Sequence, residues 1–218
     1  MIKVLYENEE ILVIDKPAGL ASQPGEKVGK SVISVIEQQC HFHPYPVHRL
    51  DKETAGCMLI AKNPASAGRW APRLFDGQIK KKYRAICAGA PSATSGQYSD
   101  FLVSKGMEQS AITRYALLSR FGDLDGEEPA FSMVEFELGT GRTHQIRKHS
   151  SMHGHPILAD DKYGNFALNR RLKRERRLSM LLLWAYELSL QGMPPIHSAL
   201  PSHFSEFLAQ WNFTPEVQ

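Results

Sequence analysis

Residues 3–7, KVLYE, and 11–16, ILVIDK, are rich in Val, Ile, Leu and Tyr and are separated only by Asn8-Glu9-Glu10. Three polar residues read as a turn between two strands. Pro17 and Gly19 in KPAGL then end the run in a loop. Strand-like runs recur at CMLIAK (57–62), KKKYRAICAG (80–89) and LLLWAYELSL (181–190). SAITRYALLSRF (110–121) and FSMVEFELGTG (131–141) form a further pair across the acidic loop GDLDGEE.

Helical signals lie between groups of these runs and do not alternate with them. SVISVIEQQ (31–39) has Ser31 as a cap and Val32, Val35 and Ile36 on one face. NPASAGRWAPRLFDG (63–77) has Asn63 as a cap, Pro64 in the first position and a break expected at Pro72. HQIRKHSSMHG (144–154) and PSHFSEFLAQW (201–211) complete the set. In the last of these, Phe204, Phe207, Leu208 and Trp211 keep helical spacing. Runs of strands with helices between them predict an α+β fold with a mixed or mainly antiparallel sheet flanked by helices, rather than a doubly wound one. With no internal repeat and no Gly/Ser/Pro-rich linker, residues 1–218 are expected to form a single domain.

Hydrophobic content of 42% with 22% charged residues is that of a globular chain with a real core. The opening MIKVLYENEE turns acidic where a secretory signal becomes apolar, and the apolar run at Leu181–Leu183 is too short to span a bilayer. Cys40, Cys57 and Cys87 form no CxxC pair, which fits a reducing compartment. The expectation is a cytoplasmic protein without membrane association, monomeric by default. Charge is unevenly spread. From Arg142 to Arg177 ten Lys/Arg face three acids, a local +7 that leaves −4 on the rest of a chain whose net charge is +3. A basic region on a mildly acidic body suits a polyanion, nucleic acid first, although a run such as NRRLKRERRL is equally a solvated helix face.

Polar chemistry concentrates in two stretches. In PYPVHRLDKETAG (44–56), His48, Arg49 and Asp51 stand just before an apolar strand. Asp51 acts as nucleophile or base only if neighbouring charge or donors keep it ionised. Spacing alone favours a structural Arg49–Asp51 pair at a loop–strand junction. In GTGRTHQIRKHSSMHGHPILADDKYG (139–164), two arginines, four histidines and several glycines follow a strand directly, too dense a polar group for plain surface. His149 and His153 could share a helix face, but HExxH and Cys/His zinc spacings are absent and no metal is expected. GxxxxGK[ST], GxGxxG and GxSxG are also absent, so no nucleotide cofactor is expected. Tyr83, on its own, reads as a half-buried strand tyrosine.

Taken in order, DKPAG (15–19), HRLDKETAG (48–56), KKYRAI (81–86) and LGTGRTHQIRKHSSMHGHPILADDKYG (138–164) resemble the RluA family of RNA pseudouridine synthases. The resemblance runs from VLYENEEILVIDKP to the closing LPSHF. It implies the catalytic-domain fold of that family and an isomerase that flips a uridine of ribosomal or transfer RNA and rearranges its glycosidic bond without a cofactor. It makes Asp51 the catalytic aspartate, Tyr83 the ring that stacks on the flipped base and moves a proton, and Arg147 the partner that keeps Asp51 ionised. Arg49 would displace the base, Ile146 would wall the pocket, and His48, Arg142, His144 and Gln145 would contact RNA. The sequence departs from the family in having TAG (54–56) where TSG is common, Trp184 where His is frequent, and no S4-type RNA-binding domain ahead of it. A catalytically inactive RNA-binding protein and a carboxylate glycosidase using Asp51 and Glu53 are the competing readings.

Overall fold

The computed structural model describes residues 1–25, 29–104, 106–123 and 129–214. Its elements begin with β1 (Lys3–Glu7), β2 (Ile11–Lys16), α1 (Val32–Cys40), β3 (Tyr45–Pro46), β4 (Ala55–Ala61) and α2 (Pro64–Trp70). They continue with β5 (Ile79–Ala88), β6 (Ser95–Ser104), β7 (Met107–Gly122), β8 (Ala130–Leu138) and α3 (Gln145–Met152). The chain ends through α4 (Phe166–Arg176), β9 (Leu183–Leu190), β10 (Ile196–His197) and α5 (Ser202–Ala209). Among the described residues no helix is long and apolar enough to cross a membrane. The fold is α+β with a mixed, mainly antiparallel sheet, as the spacing of the runs predicts.

The chain divides into two compact units. Met1–Lys82 with Trp184–Ala199 form the first, and Tyr83–Leu183 with Leu200–Gln218 the second. In the first, β1 pairs antiparallel with β2, and β2 with β4 from Ile11↔Ala61 to Lys16↔Gly56. β4 then runs parallel to β9 at Ala55↔Trp184 and Gly56↔Ala185. Every residue of β4 is buried, as expected of a strand covered on both faces. Ile11, Val13, Cys57, Leu59, Trp70 and Leu188 form the core on one side of these strands. Gly56 has φ +112°, and a Cβ there would collide with the Ala185 carbonyl. The glycine of the TAG motif is therefore what lets β4 approach β9 so closely. Trp184 is packing, not contact surface: its Nε1 donates to Ser198 Oγ at 2.9 Å, and Ser198 Oγ donates on to Asp15 Oδ1 at 2.8 Å.

Local signals decide the helix ends. Ser31 caps α1 with a reciprocal pair of bonds to Ser34, and Asn63 accepts from Ser66 N–H at the start of α2. Pro72 cannot continue α2, which ends at Trp70 and gives way to a short 3₁₀ turn, Pro72–Leu74.

In the second unit β7 pairs antiparallel with β8 from Thr113↔Leu138 to Gly122↔Ala130, the hairpin that the sequence predicts. Of its acidic loop, residues 124–128 lie outside the described residues. β7 also pairs with β6 over Ser95↔Ala116 to Ser104↔Met107, a strand with no counterpart in the sequence reading. SGQYSDFLVS carries Gly, Asp and three Ser, which are depleted in strands, so its own propensity is low. Ten paired residues along β7 override it.

Candidate active-site elements

In the first unit the stretch between β3 and β4 is fixed at several points. Val47 N–H donates to Leu59 O, and Leu59 N–H donates to His48 Nε2, both at 3.1 Å. His48 thus accepts at Nε2, which puts its proton on Nδ1. Burial, helped by the Lys81 charge, pushes its pKa down to about 3, so the ring stays neutral. The imidazole that sequence reasoning offered to RNA is committed to the β4 backbone. Leu50 is buried, and Ser22 Oγ both donates to its carbonyl at 2.6 Å and accepts from its N–H at 3.1 Å. The carbonyl of Lys52 accepts from Gly19 N–H at 2.8 Å and from Lys16 Nζ at 3.0 Å.

Lys16 is the anchor of this arrangement. It is 0% exposed, and its ammonium also donates to Pro17 O at 2.9 Å and Leu20 O at 2.7 Å, so all three N–H bonds are satisfied. Burial lowers its pKa to about 8, against the opposing pull of Glu53 and Asp51. The DKPAG loop and the Asp51 loop are therefore tied together through one buried cation. Asp51, half-buried, sits between the fixed neighbours Leu50 and Lys52, and Arg49 is exposed. The Arg49–Asp51 ion pair that spacing favours is not formed: among the described residues the Arg49 side chain has no ion pair.

In the second unit α3 carries the other motif. His144 precedes it in the left-handed region, φ 55°, with Nδ1 3.1 Å from Tyr163 Oη. Gln145 is 3% exposed. Its Oε1 accepts from Thr140 Oγ1 at 2.6 Å and Arg142 N–H at 3.0 Å. Its Nε2 donates to Ile112 O at 2.9 Å and Thr113 Oγ1 at 2.8 Å. Those four bonds exhaust the amide, and nothing remains for a base. Gln145 instead ties the GTGR turn to β7. Arg142 is exposed, with Nε on Ser110 O at 3.2 Å, and Ile146 is buried.

Arg147 is 1% exposed and forks onto Asp160. Its Nε reaches Oδ2 and its Nη2 reaches Oδ1, each at 2.7 Å, and Nη2 also meets Asp161 Oδ1 at 2.8 Å. Asp160 is 0% exposed and accepts the N–H groups of Lys162 and Tyr163, both at 2.9 Å, through Oδ1. Burial opposes its ionisation, but the guanidinium and the two amides outweigh it and hold the carboxyl below its usual range. Sequence reasoning missed Asp160, although ADDKYG, two acids inside a basic stretch, is the signal that it left unused. Lys16, inside DKPAG, carries no comparable signal, because its carbonyl partners are brought to it only by the fold. Tyr83 lies in β5 and is buried.

The remaining histidines of the 139–164 stretch make their contacts within the second unit. His153 Nε2 meets Asp100 Oδ2 at 2.8 Å and its ring stacks on Tyr98, centroids 4.0 Å apart. Tyr98 Oη lies 3.0 Å from His155 Nε2, and His149 Nδ1 lies 2.8 Å from Thr113 Oγ1. Together they lock β6 and β7 against α3.

The sequence profile described as RNA pseudouridylate synthase matches residues 10–152, which include both polar motifs up to the end of α3. The ribosomal large subunit pseudouridine synthase C of Rickettsia bellii is 37% identical over 178 residues, 74% of this chain and 56% of that protein. An uncharacterised RNA pseudouridine synthase of Synechocystis is 30% identical over 235 aligned positions, 95% of this chain and 68% of that one. The structure of human RNA pseudouridylate synthase domain containing 4 superposes with a TM-score of 0.78 at 25% identity, covering 98% of this chain and 95% of that one. This chain belongs to the RNA pseudouridylate synthase family. It spans about half the length of the first of these curated relatives.

Proposed function

We propose that the protein isomerises uridine to pseudouridine in RNA, with large-subunit ribosomal RNA the first substrate to test. The observation that carries this reading is the clamped Asp51 loop: a half-buried carboxylate between backbone carbonyls fixed by Ser22 and Lys16, beside an exposed arginine that forms no ion pair with it. A rigid loop presents the carboxylate in one place, and a guanidinium without an ion pair is at hand to enter a base stack. The names of the ribosomal relatives support the choice of RNA.

In the proposed reaction the bond from C1′ to N1 breaks, the uracil rotates, and C1′ bonds to C5. The C5 hydrogen leaves to solvent and N1 gains one, so no redox or phosphoryl carrier is consumed. Extruding the base costs a few kcal/mol. Arg49 filling the gap and Tyr83 stacking on the ring offset it, the latter by about 1–3 kcal/mol. Asp51 must be an anion whether it attacks the ribose, attacks the ring or removes a sugar proton. Arg147 is assigned the task of keeping it so, and Asp160 the task of orienting Arg147. Release of tritium from RNA labelled at uridine C5 tests the reading. A pseudouridine synthase releases it, whereas an RNA-binding protein without activity, or a glycosidase that only cleaves the base, does not.

A further inference from the structure

The basic run 169–178 is unused by this chemistry, and its cations have separate fates in the structure. Arg171 and Arg174 both pair with Glu175, at 3.0 and 2.7 Å, and Arg176 lies over the Trp211 ring, 4.9 Å from its centroid. Arg170, Lys173 and Arg177 are exposed and have no ion pair among the described residues. At 100° per residue these three fall within an arc of roughly 60°, on the far side of α4 from its buried residue, Leu172. Over the seven steps from Arg170 to Arg177 the helix rises about 10 Å, a span longer than one backbone phosphate. The stripe ends at an open cleft of about 370 Å³, lined by Arg176, Arg177, Ser179, His203 and Gln210, with one carboxylate, Glu206 of α5, on its wall. Cations near a helix carboxyl end are favoured by its dipole, which covers Lys173, Arg174 and Arg176. It does not explain Arg170, midway along α4, nor why the cations without an acid partner share one line.

We propose that Arg170, Lys173 and Arg177 form a docking face for the phosphate backbone of RNA, one that sets how tightly the RNA is held and not how fast the uridine reacts. This rests on RNA being the partner, and charge complementarity favours it: one sign, regular spacing, and no acid left unneutralised on the helix. The cleft at the end of the stripe gives a strand leaving the helix an edge to follow.

The test uses the Asp51→Asn protein, so that binding is read without turnover, and a labelled stem-loop RNA titrated over a range of salt. A triple variant, Arg170→Gln with Lys173→Gln and Arg177→Gln, is compared with Lys3→Gln, Lys30→Gln and Arg120→Gln together, which removes the same charge from scattered exposed sites. Each lost phosphate contact reduces the slope of log K against log salt by about 0.7 for a single strand, so the stripe variant loses about 2 units and the scattered variant far less. A fourfold rise in salt then narrows the gap between parent and stripe variant by roughly fifteenfold. Equal slopes for the two triple variants, or a stripe that governs binding to phosphatidylserine vesicles but not to the RNA, overturn the proposal. If the otherwise unmodified chain releases no tritium yet the slope depends on the stripe, the isomerase reading fails and this one stands. Tritium release with stripe-independent slopes is the reverse.

Discussion

The ammonium of Lys16 lies 3.0 Å from the carbonyl oxygen of Lys52, the residue that follows Asp51. One buried cation, bonded to three carbonyls, thereby fixes the backbone beside the proposed catalytic carboxylate and adds a positive charge near it.

Its protonation gives a pH signature. The folded pKa is about 8, below the ordinary 10.5, so between those values the unfolded chain binds more protons than the folded one. This group's contribution to stability therefore rises with pH across that window. The clamp, however, loses one of its three donors there. Turnover is expected to fall above about pH 8 while the melting temperature shows no matching loss from this group, and Lys16→Met should remove that limb of the profile. A profile that keeps the same alkaline limb in Lys16→Met contradicts the clamp's role.

Arg49 separates an ion pair from an RNA contact. Because it is exposed and has no ion pair among the described residues, Arg49→Ala should change stability by no more than about 0.5 kcal/mol. Activity on structured RNA should fall at least tenfold, and less on an unstacked oligouridine whose base needs no displacement. Calorimetry beside tritium release on both substrates checks this. A large stability loss would restore the structural pair.

Asp160 is the test of Arg147. Asp160→Ala leaves a guanidinium buried without its bidentate partner and should cost about 3–5 kcal/mol, read by urea denaturation. Asp160→Asn keeps the shape and part of the hydrogen bonding, so it should lose less stability and still lose most activity, because a neutral amide no longer orients Arg147. Since the folded carboxyl is held below its unfolded value, its contribution is present above that value and is lost as pH falls through the folded one. Acid sensitivity should therefore be blunted in Asp160→Asn.

Gln145 makes a complementary case. All four amide positions are bonded within the second unit, so Gln145→Leu strands partners on Ile112, Thr113, Thr140 and Arg142. We expect a loss of roughly 2–3 kcal/mol, from buried groups left unsatisfied. RNA affinity of the fraction that remains folded should be unchanged. A variant with full stability but weakened RNA binding would return Gln145 to the RNA-reading role.

The legible parts of this molecule were those in which local and tertiary preferences agree. The β7–β8 pair, Ser31 and Asn63 as caps, and the break at Pro72 all follow from side chains acting on their own backbone. β6 was not legible, because a Ser- and Gly-rich segment becomes a strand only when β7 supplies the partner. The same divide runs through the site. Asp51, Tyr83 and Arg147 stand out as motif residues, but Lys16 serves a carbonyl 36 residues away and Asp160 serves a guanidinium 13 residues away. The family resemblance offers His48 and Gln145 to RNA, whereas in the structure their hydrogen-bonding groups serve the fold, His48 at Leu59 N–H and Gln145 at β7.

The central claim is that the carboxylate of Asp51 performs the isomerisation, and Asp51→Asn tests it most directly. Tritium release from C5-labelled large-subunit ribosomal RNA should fall to background, with stem-loop binding retained within about threefold, since the amide keeps the side chain's shape and the loop's anchors lie on other residues. Release at the rate of the unmodified protein would contradict the account.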